Sequence, residues 1–279
     1  MGLCFARPIS ADFSIREFAL RGEENADGWG LAWYPDRSLA VVKEPVRWQE
    51  SKYTRFLETY HGLRSPLYIA HVRHKTVGGQ PTHADTHPFH RELGGREYCF
   101  AHNGTLEGFR EPLPLGRFRP LGVTDSEHLF CWLLEQVARR EGHLAGEASW
   151  AWLHQALAGL NRLGKLNCLL ADGRRLFAYH DAGGHKGLAL RQVRVADHQA
   201  RRLEDEELRV DLDGHSPNHG LVVASQPLSA TGWHRFQPGE LVVMHGGALC
   251  YSSHRPPAGP GFAPPDDPGR PPEPAAAGR

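Results

Sequence analysis

Histidine side chains are concentrated between positions 71 and 102, where they could bind a metal ion. They are His71, His74, His83, His87, His90 and His102. Histidine is a common ligand of divalent ions, so a metal-dependent hydrolase is one hypothesis. The spacing argues against it, because His71 and His74 would point to opposite faces of a strand. No Asp or Glu stands in a recognised ligand pattern with them, so we predict partly buried, hydrogen-bonded histidines and no metal or organic cofactor.

Cysteine side chains could supply a nucleophile, a disulfide or a metal ligand. The five are Cys4, Cys99, Cys131, Cys168 and Cys250. Their odd number and the absence of a CxxC pair argue against a disulfide framework and against a thiolate zinc site. Most are therefore expected to be small buried residues. Cys4, in "MGLCFARP", poses a separate question, because it is either a nucleophile or an ordinary strand residue.

Short apolar or alternating segments, bounded by turn residues, predict strands on both sides of a helical region. The predicted strands are "GWGLAWY" (28–34), "LAVVKEP" (39–45), "LYIAHVR" (67–73), "EYCFAHNG" (97–104), "LNCLLADGRRLFAYH" (166–180), "GLVVASQPL" (220–228) and "ELVVMHGG" (240–247). Segment 166–180 is a hairpin that turns at Asp172-Gly173. The charge-dense segment 193–215 is interpreted as a solvated excursion without chemistry.

Two amphipathic helices lie between the two groups of strands. "TDSEHLFCWLLEQVARR" begins with a capping box of Thr124 and Glu127 and continues with one apolar face. "ASWAWLHQALAGLNRL" (148–163) has a second apolar face. Strands, then helices, then strands predict a mixed α/β protein in which sheets and helices pack together.

Four segments at the ends of these elements form a more specific pattern. "AHVRHKT" ends one strand, "THPF" lies in a loop, "AHNGTL" ends another strand and "GVTDSEH" starts a helix. Together they resemble the class II glutamine amidotransferase domain of the N-terminal nucleophile hydrolases, in its bacterial single-domain branch. The resemblance continues through "RGEENADGWGLAWYPD", "NCLLADGR" and "ASQPL". It implies an α+β fold, a four-layer αββα sandwich, and release of ammonia from the side-chain amide of glutamine.

The resemblance gives four residues a role in binding substrate. Arg73 would bind the α-carboxylate through two charge-assisted hydrogen bonds, which Lys could not imitate. Asp125 would bind the α-ammonium, while Thr76 and His87 resemble residues that line the pocket. The alternatives are a surface arginine, a carboxylate that stabilises the helix dipole, and structural roles for Thr76 and His87.

Asn103 and Gly104 resemble the pair of residues that forms the oxyanion hole of the family. The Asn side-chain N–H and the Gly backbone N–H would stabilise the oxyanion that forms when a nucleophile attacks the carboxamide carbon. Two such donors could each contribute roughly 2.7–4 kcal/mol of transition-state stabilisation. The alternative is a plain Asn-Gly turn between strands.

The nucleophile departs from the family pattern. In the family it is a cysteine that becomes residue one after removal of the initiator methionine, and its α-amine acts as the base. Relatives start with Met-Cys, and "GLCFARP" matches residues further along. Cys4 then lies about six residues downstream of the nucleophile position, on the order of 20 Å along an extended strand. We therefore expect Cys4 to be a strand residue, with a nucleophilic role as the alternative.

Two explanations for the missing nucleophile stay open. Either the native chain begins upstream with a Met-Cys extension, or the protein is a pseudoenzyme that binds glutamine or a γ-glutamyl compound as a regulatory module. A γ-glutamyl amide other than free glutamine is a further candidate substrate, as in the related branch that serves ergothioneine synthesis. An ammonia-accepting synthase would be a separate partner.

Composition limits the other partners. Lys plus Arg and Asp plus Glu each total 32, so no general positive field draws nucleic acid to the protein. No basic segment leads into an apolar stretch, and no apolar run of about 18 residues is present. We therefore expect a cytoplasmic protein without a membrane partner. The Pro-, Gly- and Ala-rich end predicts a domain over 1–251 and a disordered tail over 252–279.

Overall fold

Two antiparallel sheets form the framework of the protein in a computed structural model, which describes residues 1–14, 28–46, 50–60, 63–72, 82–195, 201–204, 209–213, 217–229 and 231–254. The strands are β1 Gly2–Ser14, β2 Trp29–Trp33, β3 Ala40–Glu44, β4 Arg64–Val72, β5 Phe89–Leu93, β6 Arg96–Leu106, β7 Gly164–Ala171, β8 Arg175–Tyr179, β9 Ala189–Val195, β10 Arg201–Glu204, β11 Arg209–Asp213, β12 Asn218–Ala224, β13 Trp233–Arg235, β14 Leu241–His245 and β15 Ala248–Ser252. The helices are α1 Lys52–Thr59, α2 Asp125–Arg140 and α3 Glu147–Leu160.

Strand β1 lies in the middle of the larger sheet. The order of that sheet is β13-β9-β12-β1-β4-β2-β3, with β11 pairing with β1 and β10 with β11. Cys4 is the register partner of Leu67 in β4 and of Leu221 in β12. The smaller sheet has the order β15-β14-β8-β7-β6-β5. The larger sheet therefore joins strands from distant parts of the sequence.

Three buried apolar clusters separate the layers. Between the two sheets the cluster includes Cys4 and Ala101. On the other face of the smaller sheet, Phe100 packs on Phe130 of α2, with ring centroids 5.2 Å apart. On the other face of the larger sheet the cluster includes Leu57 of α1. Because successive residues of a strand point to opposite faces, the result is the predicted four-layer αββα sandwich.

The start of α2 agrees with only half of the predicted capping box. Thr124 is the N-cap, and its hydroxyl accepts the backbone N–H of Glu127 at 3.2 Å. The Glu127 carboxylate instead accepts the N–H groups of Leu121 and Gly122 and forms a 2.6 Å ion pair with Arg91. Glu127 therefore holds the segment before the helix rather than the N-cap itself.

The charge-dense segment is not simply a solvated excursion, so that prediction is wrong. Its described parts include the end of β9 and the strands β10 and β11. Leu203 and Leu212 are 1% and 0% exposed and belong to the cluster under α1. Charged residues dominate the segment, but the leucines in these strands point to the face that packs against the buried cluster.

The predicted boundary at residue 251 falls inside β15, and the residues from 255 onward lie outside the described part. The division into a domain and a tail therefore stays a prediction. Within the described residues, no helix is both long enough and apolar enough to span a membrane.

Candidate active site

The end of β6 and the start of α2 bring Asn103, Gly104 and Asp125 together. Asn103 and Gly104 are near the C-terminal end of β6, and Asp125 is the first residue of α2. The Asp125 carboxylate accepts the backbone N–H of Leu106, two residues beyond Gly104, at 2.7 Å. Three of the residues that the resemblance implicates in glutamine hydrolysis therefore lie at one end of the smaller sheet.

The backbone N–H of Gly104 points away from β7. Gly104 is opposite Leu166 in the β6–β7 pairing, and the Leu166 N–H is directed to Asp181 Oδ1 at 2.7 Å, on the far side of β7. Opposite residues of antiparallel strands either exchange both hydrogen bonds or exchange none. The Gly104 N–H is therefore directed to the other side of β6, as is the Leu106 N–H that reaches Asp125.

The Asn103 side chain faces the space between the two sheets. Ala101, two residues earlier in β6, belongs to the buried core between the sheets, and alternate residues of a strand share a face. A Cβ atom placed on Gly2 would lie 2.8 Å from Leu176 Cδ2 and 3.3 Å from Leu169 Cδ1. Leu169 is opposite Ala101, and Leu176 is opposite Ala171, which is the partner of Cys99. Gly2 of β1 therefore lies between the levels of Ala101 and Cys99, farther from Asn103 than Ala101 is.

Cys4 is farther from Asn103 than Gly2 is, toward the end of β7. Its thiol interacts electrostatically with Asp172, which follows the end of β7, whereas Asn103 is opposite Asn167 near the start of β7. The Cys4 side chain is 0% exposed, and burial raises its pKa to about 12. A buried, protonated thiol has the properties of a structural cysteine, because the thiolate is the nucleophilic form.

His87 lies in a loop before β5 and contacts a strand of each sheet. Its side chain is buried, and its ring centroid is 4.3 Å from that of His71 on β4 and 4.6 Å from that of Phe89 on β5. The preceding carbonyl, of Thr86, accepts a 2.7 Å hydrogen bond from Lys43 Nζ. These contacts hold the "THPF" loop against the larger sheet.

Asp85 ties the His87 loop to the segment that leads into α2, a link that the sequence analysis missed. Asp85 Oδ1 accepts the Val123 N–H at 2.8 Å, and Oδ2 accepts the Thr82 hydroxyl at 2.7 Å. A Cβ atom on Gly122 would overlap Asp85 Oδ1, so this approach needs glycine there. The signals in the sequence, a Thr and an Asp three residues apart and a Gly before a helix, occur in many loops.

Arg73 and Thr76 fall outside the described residues. β4 ends at Val72, which pairs with Trp29 of β2. Arg73 therefore follows directly after the strand that neighbours β1. Substrate binding by Arg73 and Thr76 stays a prediction.

His71 and His87 are in ring contact, and the other described histidines between positions 71 and 102 have partners of their own. His102 contacts Ser126 and the Lys165 carbonyl on α2 and β7. Partial desolvation and the positive charge of Lys43 lower the pKa of both His83 and His90, and His74 falls outside the described residues. In the part of the chain that the structure covers, no group of three or more His, Cys, Asp or Glu side chains is placed to hold a metal ion.

Comparison of the sequence with known proteins identifies relatives over most of the chain. The protein MJ1515 of Methanocaldococcus jannaschii, named as uncharacterized, is 37% identical over 257 residues, which are 91% of this chain and 71% of that protein. YafJ of Escherichia coli, provisionally named a glutamine amidotransferase, is 32% identical over 248 residues, which are 86% of this chain and 94% of YafJ.

Solved structures share the fold, and a family model covers the site. A predicted glutamine amidotransferase from Pseudomonas aeruginosa has a TM-score of 0.67 at 28% identity, covering 90% of this chain and 98% of its own. Glutamine phosphoribosylpyrophosphate amidotransferase from B. subtilis has a TM-score of 0.55 at 18% identity, over 90% of this chain and 48% of that one, which is a likeness of fold alone. The model for class II glutamine amidotransferases matches residues 1–261, and the chain therefore belongs to that family.

Proposed function

We propose that the protein releases ammonia from the side-chain amide of glutamine through a cysteinyl thioester. The observation that supports this most directly is the direction of the Gly104 N–H. It points away from β7, to the side of β6 where Asp125 accepts the Leu106 N–H. This arrangement supports the proposal that Gly104 is an oxyanion donor and that Asp125 binds the substrate ammonium, on one side of one strand.

The proposed reaction proceeds in two steps. A cysteine thiolate attacks the carboxamide carbon, and the Asn103 side chain and the Gly104 N–H stabilise the oxyanion of the tetrahedral intermediate. The carbon–nitrogen bond breaks, and the leaving nitrogen takes up a proton and departs as ammonia. Water then hydrolyses the γ-glutamyl thioester to glutamate and regenerates the thiol. The sum is glutamine plus water to glutamate plus ammonia.

The proposed nucleophile is a cysteine upstream of Met1. Met1 pairs with Ala70, since its N-terminal ammonium donates to the Ala70 carbonyl at 2.7 Å and the Ala70 N–H returns to the Met1 carbonyl at 2.9 Å. Residues added before Met1 in the same register would pass His71 and Val72, and Arg73 is the next residue in the sequence. Side chains of a strand alternate between its two faces, so a side chain about six residues before Cys4 would point the same way as Cys4, into the space between the sheets.

Substrate recognition in this proposal uses the ends of several elements. Arg73 binds the α-carboxylate, Asp125 binds the α-ammonium, and His87 and Thr76 line the pocket. The substrate is free glutamine, with another γ-glutamyl amide as the alternative. The ammonia acceptor is a separate synthase.

Turnover of the protein with its native N-terminus tests the proposal. The mass of the N-terminal peptide from the native source first shows whether a cysteine precedes this sequence. Asn103→Ala is then expected to lower kcat by about 100- to 1,000-fold with a small change in KM, because it removes an oxyanion donor. Asp125→Asn is expected mainly to raise KM, because its oxygen can still accept the Leu106 N–H while the charge is lost.

Two different outcomes would contradict the proposed function. Glutamine binding without ammonia release, in a protein that starts at Met1 or Gly2, would assign the pocket to a pseudoenzyme. Ammonia release with unchanged kcat in the Asn103→Ala variant would refute the oxyanion role.

A further inference from the structure

The imidazole of His102 lies directly behind the candidate oxyanion pair. His102 is 2% exposed, and it faces α2 because it alternates along β6 with the inward-facing Asn103. Its Nδ1 is 2.9 Å from Ser126 Oγ, and its Nε2 is 3.0 Å from the Lys165 carbonyl oxygen. One buried ring therefore connects β6, β7 and the first turn of α2.

These two contacts determine where the proton of the ring resides. A backbone carbonyl can only accept, so Nε2 carries the proton and donates to Lys165. Nδ1 is then an acceptor, and the hydroxyl proton of Ser126 points to it. Burial lowers the pKa of His102, against the opposing influence of Asp125 and Asp181, so the ring is neutral near pH 7. The tautomer and the charge state are consistent with each other.

The Ser126 hydroxyl has a second acceptor within reach. Asp125 Oδ1 lies 3.4 Å from Ser126 Oγ, farther than His102 Nδ1. A hydroxyl has one proton, so donation to His102 excludes donation to Asp125. Asp125 Oδ2 meanwhile accepts the Leu106 N–H. Oδ1 is thus the Asp125 oxygen whose hydrogen bonding depends on the orientation of Ser126.

We propose that His102 is a positioning residue, which keeps the Ser126 hydroxyl turned away from Asp125 and so leaves Asp125 Oδ1 available for a cationic group of the ligand. This inference rests on the proposed function, because it takes that cation to be the α-ammonium of a glutamine-like ligand. It adds that the residue before Asn103 acts on substrate affinity through Ser126, without touching the substrate. His102 is held closely in place, since a Cβ atom on Gly104 would lie 2.7 Å from His102 Nε2.

Two amide variants separate the two contacts of the ring. His102→Gln can place a donor near the Lys165 carbonyl but loses the acceptor at Nδ1. His102→Asn can place an oxygen near Ser126 but loses the donor to Lys165. The proposal expects His102→Gln to weaken glutamine binding by about three- to tenfold, the size of one neutral hydrogen bond, because the hydroxyl then turns to Asp125. It expects His102→Asn to retain the affinity of the unaltered protein.

Calorimetry with two ligands and one double variant completes the test. The second ligand is the monoamide of glutaric acid, which has no α-ammonium, and His102→Gln should leave its affinity unchanged. Adding Ser126→Ala to His102→Gln should restore glutamine affinity, because no hydroxyl remains to occupy Asp125. A merely structural role would weaken both ligands equally and would not be rescued by Ser126→Ala, and either result would overturn the proposal.

Failure of the proposed function has a different signature. The unaltered protein would then bind glutamine no better than the monoamide, and Asp125→Asn would leave that comparison unchanged. If instead the unaltered protein prefers glutamine and Asp125→Asn removes the preference, the ammonium-binding role of Asp125 stands and the two His102 variants decide the inference, while ammonia release tests hydrolysis separately.

Discussion

Cys4 and Asn103 face the same space between the two sheets, at different levels. Gly2 lies between the levels of Ala101 and Cys99, with Asn103 on one side of it and Cys4 on the other. Neighbouring inward-facing positions of a strand are about 7 Å apart, so Cys4 and Asn103 are separated by more than about 13 Å along the strand direction. A nucleophile and its oxyanion donors must meet at one carbon atom, which this separation does not allow.

We therefore expect Cys4→Ala to affect stability rather than glutamine hydrolysis. Removing a fully buried thiol from the core should lower the free energy of unfolding by about 0.5–3 kcal/mol. Urea denaturation measures this change, and ammonia release measures hydrolysis by the protein with its native N-terminus. Cys99→Ala is the matched control, since Cys99 is buried in the same core. Loss of hydrolysis in Cys4→Ala alone, with folding intact, would make Cys4 the nucleophile.

The sequence predicts which residues form the site better than it predicts where their hydrogen-bonding groups point. The resemblance singles out Asn103, Gly104 and Asp125, and they lie together at the end of β6. The direction of the Gly104 N–H depends on which residues of β6 and β7 are opposite each other, a register that no local pattern specifies. His102 raises the same difficulty, because its tautomer follows from Ser126 and Lys165, which are distant in the sequence.

Two buried carboxylates, of Asp85 and Glu127, connect the segment before α2 to parts of the chain that lie far earlier in the sequence. Asp85 links the His87 loop to Val123, and Glu127 links α2 to Leu121 and to Arg91 on β5. Both carboxylates accept backbone N–H groups just before Asp125. The position of Asp125 therefore depends on contacts with segments that precede it by many residues.

Replacing Asp85 should reveal this dependence. Asp85→Ala leaves the Val123 N–H without its acceptor, which should lower the free energy of unfolding by about 1–3 kcal/mol and weaken glutamine binding. Asp85→Asn keeps an oxygen at that position and should retain most of both. Urea denaturation and calorimetry measure the two effects. In Asp36→Ala, a control in an exposed turn that loses the Ser38 N–H contact, both quantities should change little. Normal glutamine affinity in Asp85→Ala would contradict the coupling.

Elements with strong apolar patterns could be predicted from the sequence, and those with charged residues at alternate positions could not. β2, β3, β4 and β6 lie within or overlap the predicted strands, and α2 begins after its predicted cap. β5, with the sequence "FHREL", was missed because only its first and last residues are apolar and buried. β10 and β11 were missed for a related reason. Burial of their leucines depends on tertiary packing, which the local sequence pattern does not show.

For the whole molecule, several histidines have a lowered pKa in the folded protein. Desolvation is the largest cause at His83, His90, His102 and His185, and nearby lysines add to it at His83, His90 and His185. In the unfolded chain they would titrate near the ordinary value of about 6.5. Below that pH the unfolded state binds more protons, so the free energy of unfolding should decrease as the pH falls.

Urea denaturation between about pH 7.5 and 5 measures this dependence. The unfolding midpoint should be highest above the ordinary histidine pKa and should fall below it. His102→Asn removes one of the buried rings, so its midpoint should fall less steeply over the same range. A midpoint that is constant or rises toward pH 5 would contradict the assignment of neutral rings.

The central place of β1 also has a consequence for how the protein is made. β1 precedes the other described strands of the larger sheet along the chain, yet the Arg7 N–H bonds to the side chain of Asn218, a residue 211 positions later. The larger sheet therefore stays incomplete until most of the chain has left the ribosome. Leu3 and Phe5, which are buried in the finished protein, remain exposed during that time. Such long-range pairing makes folding slow and open to aggregation, and the nascent chain is therefore expected to depend on chaperones.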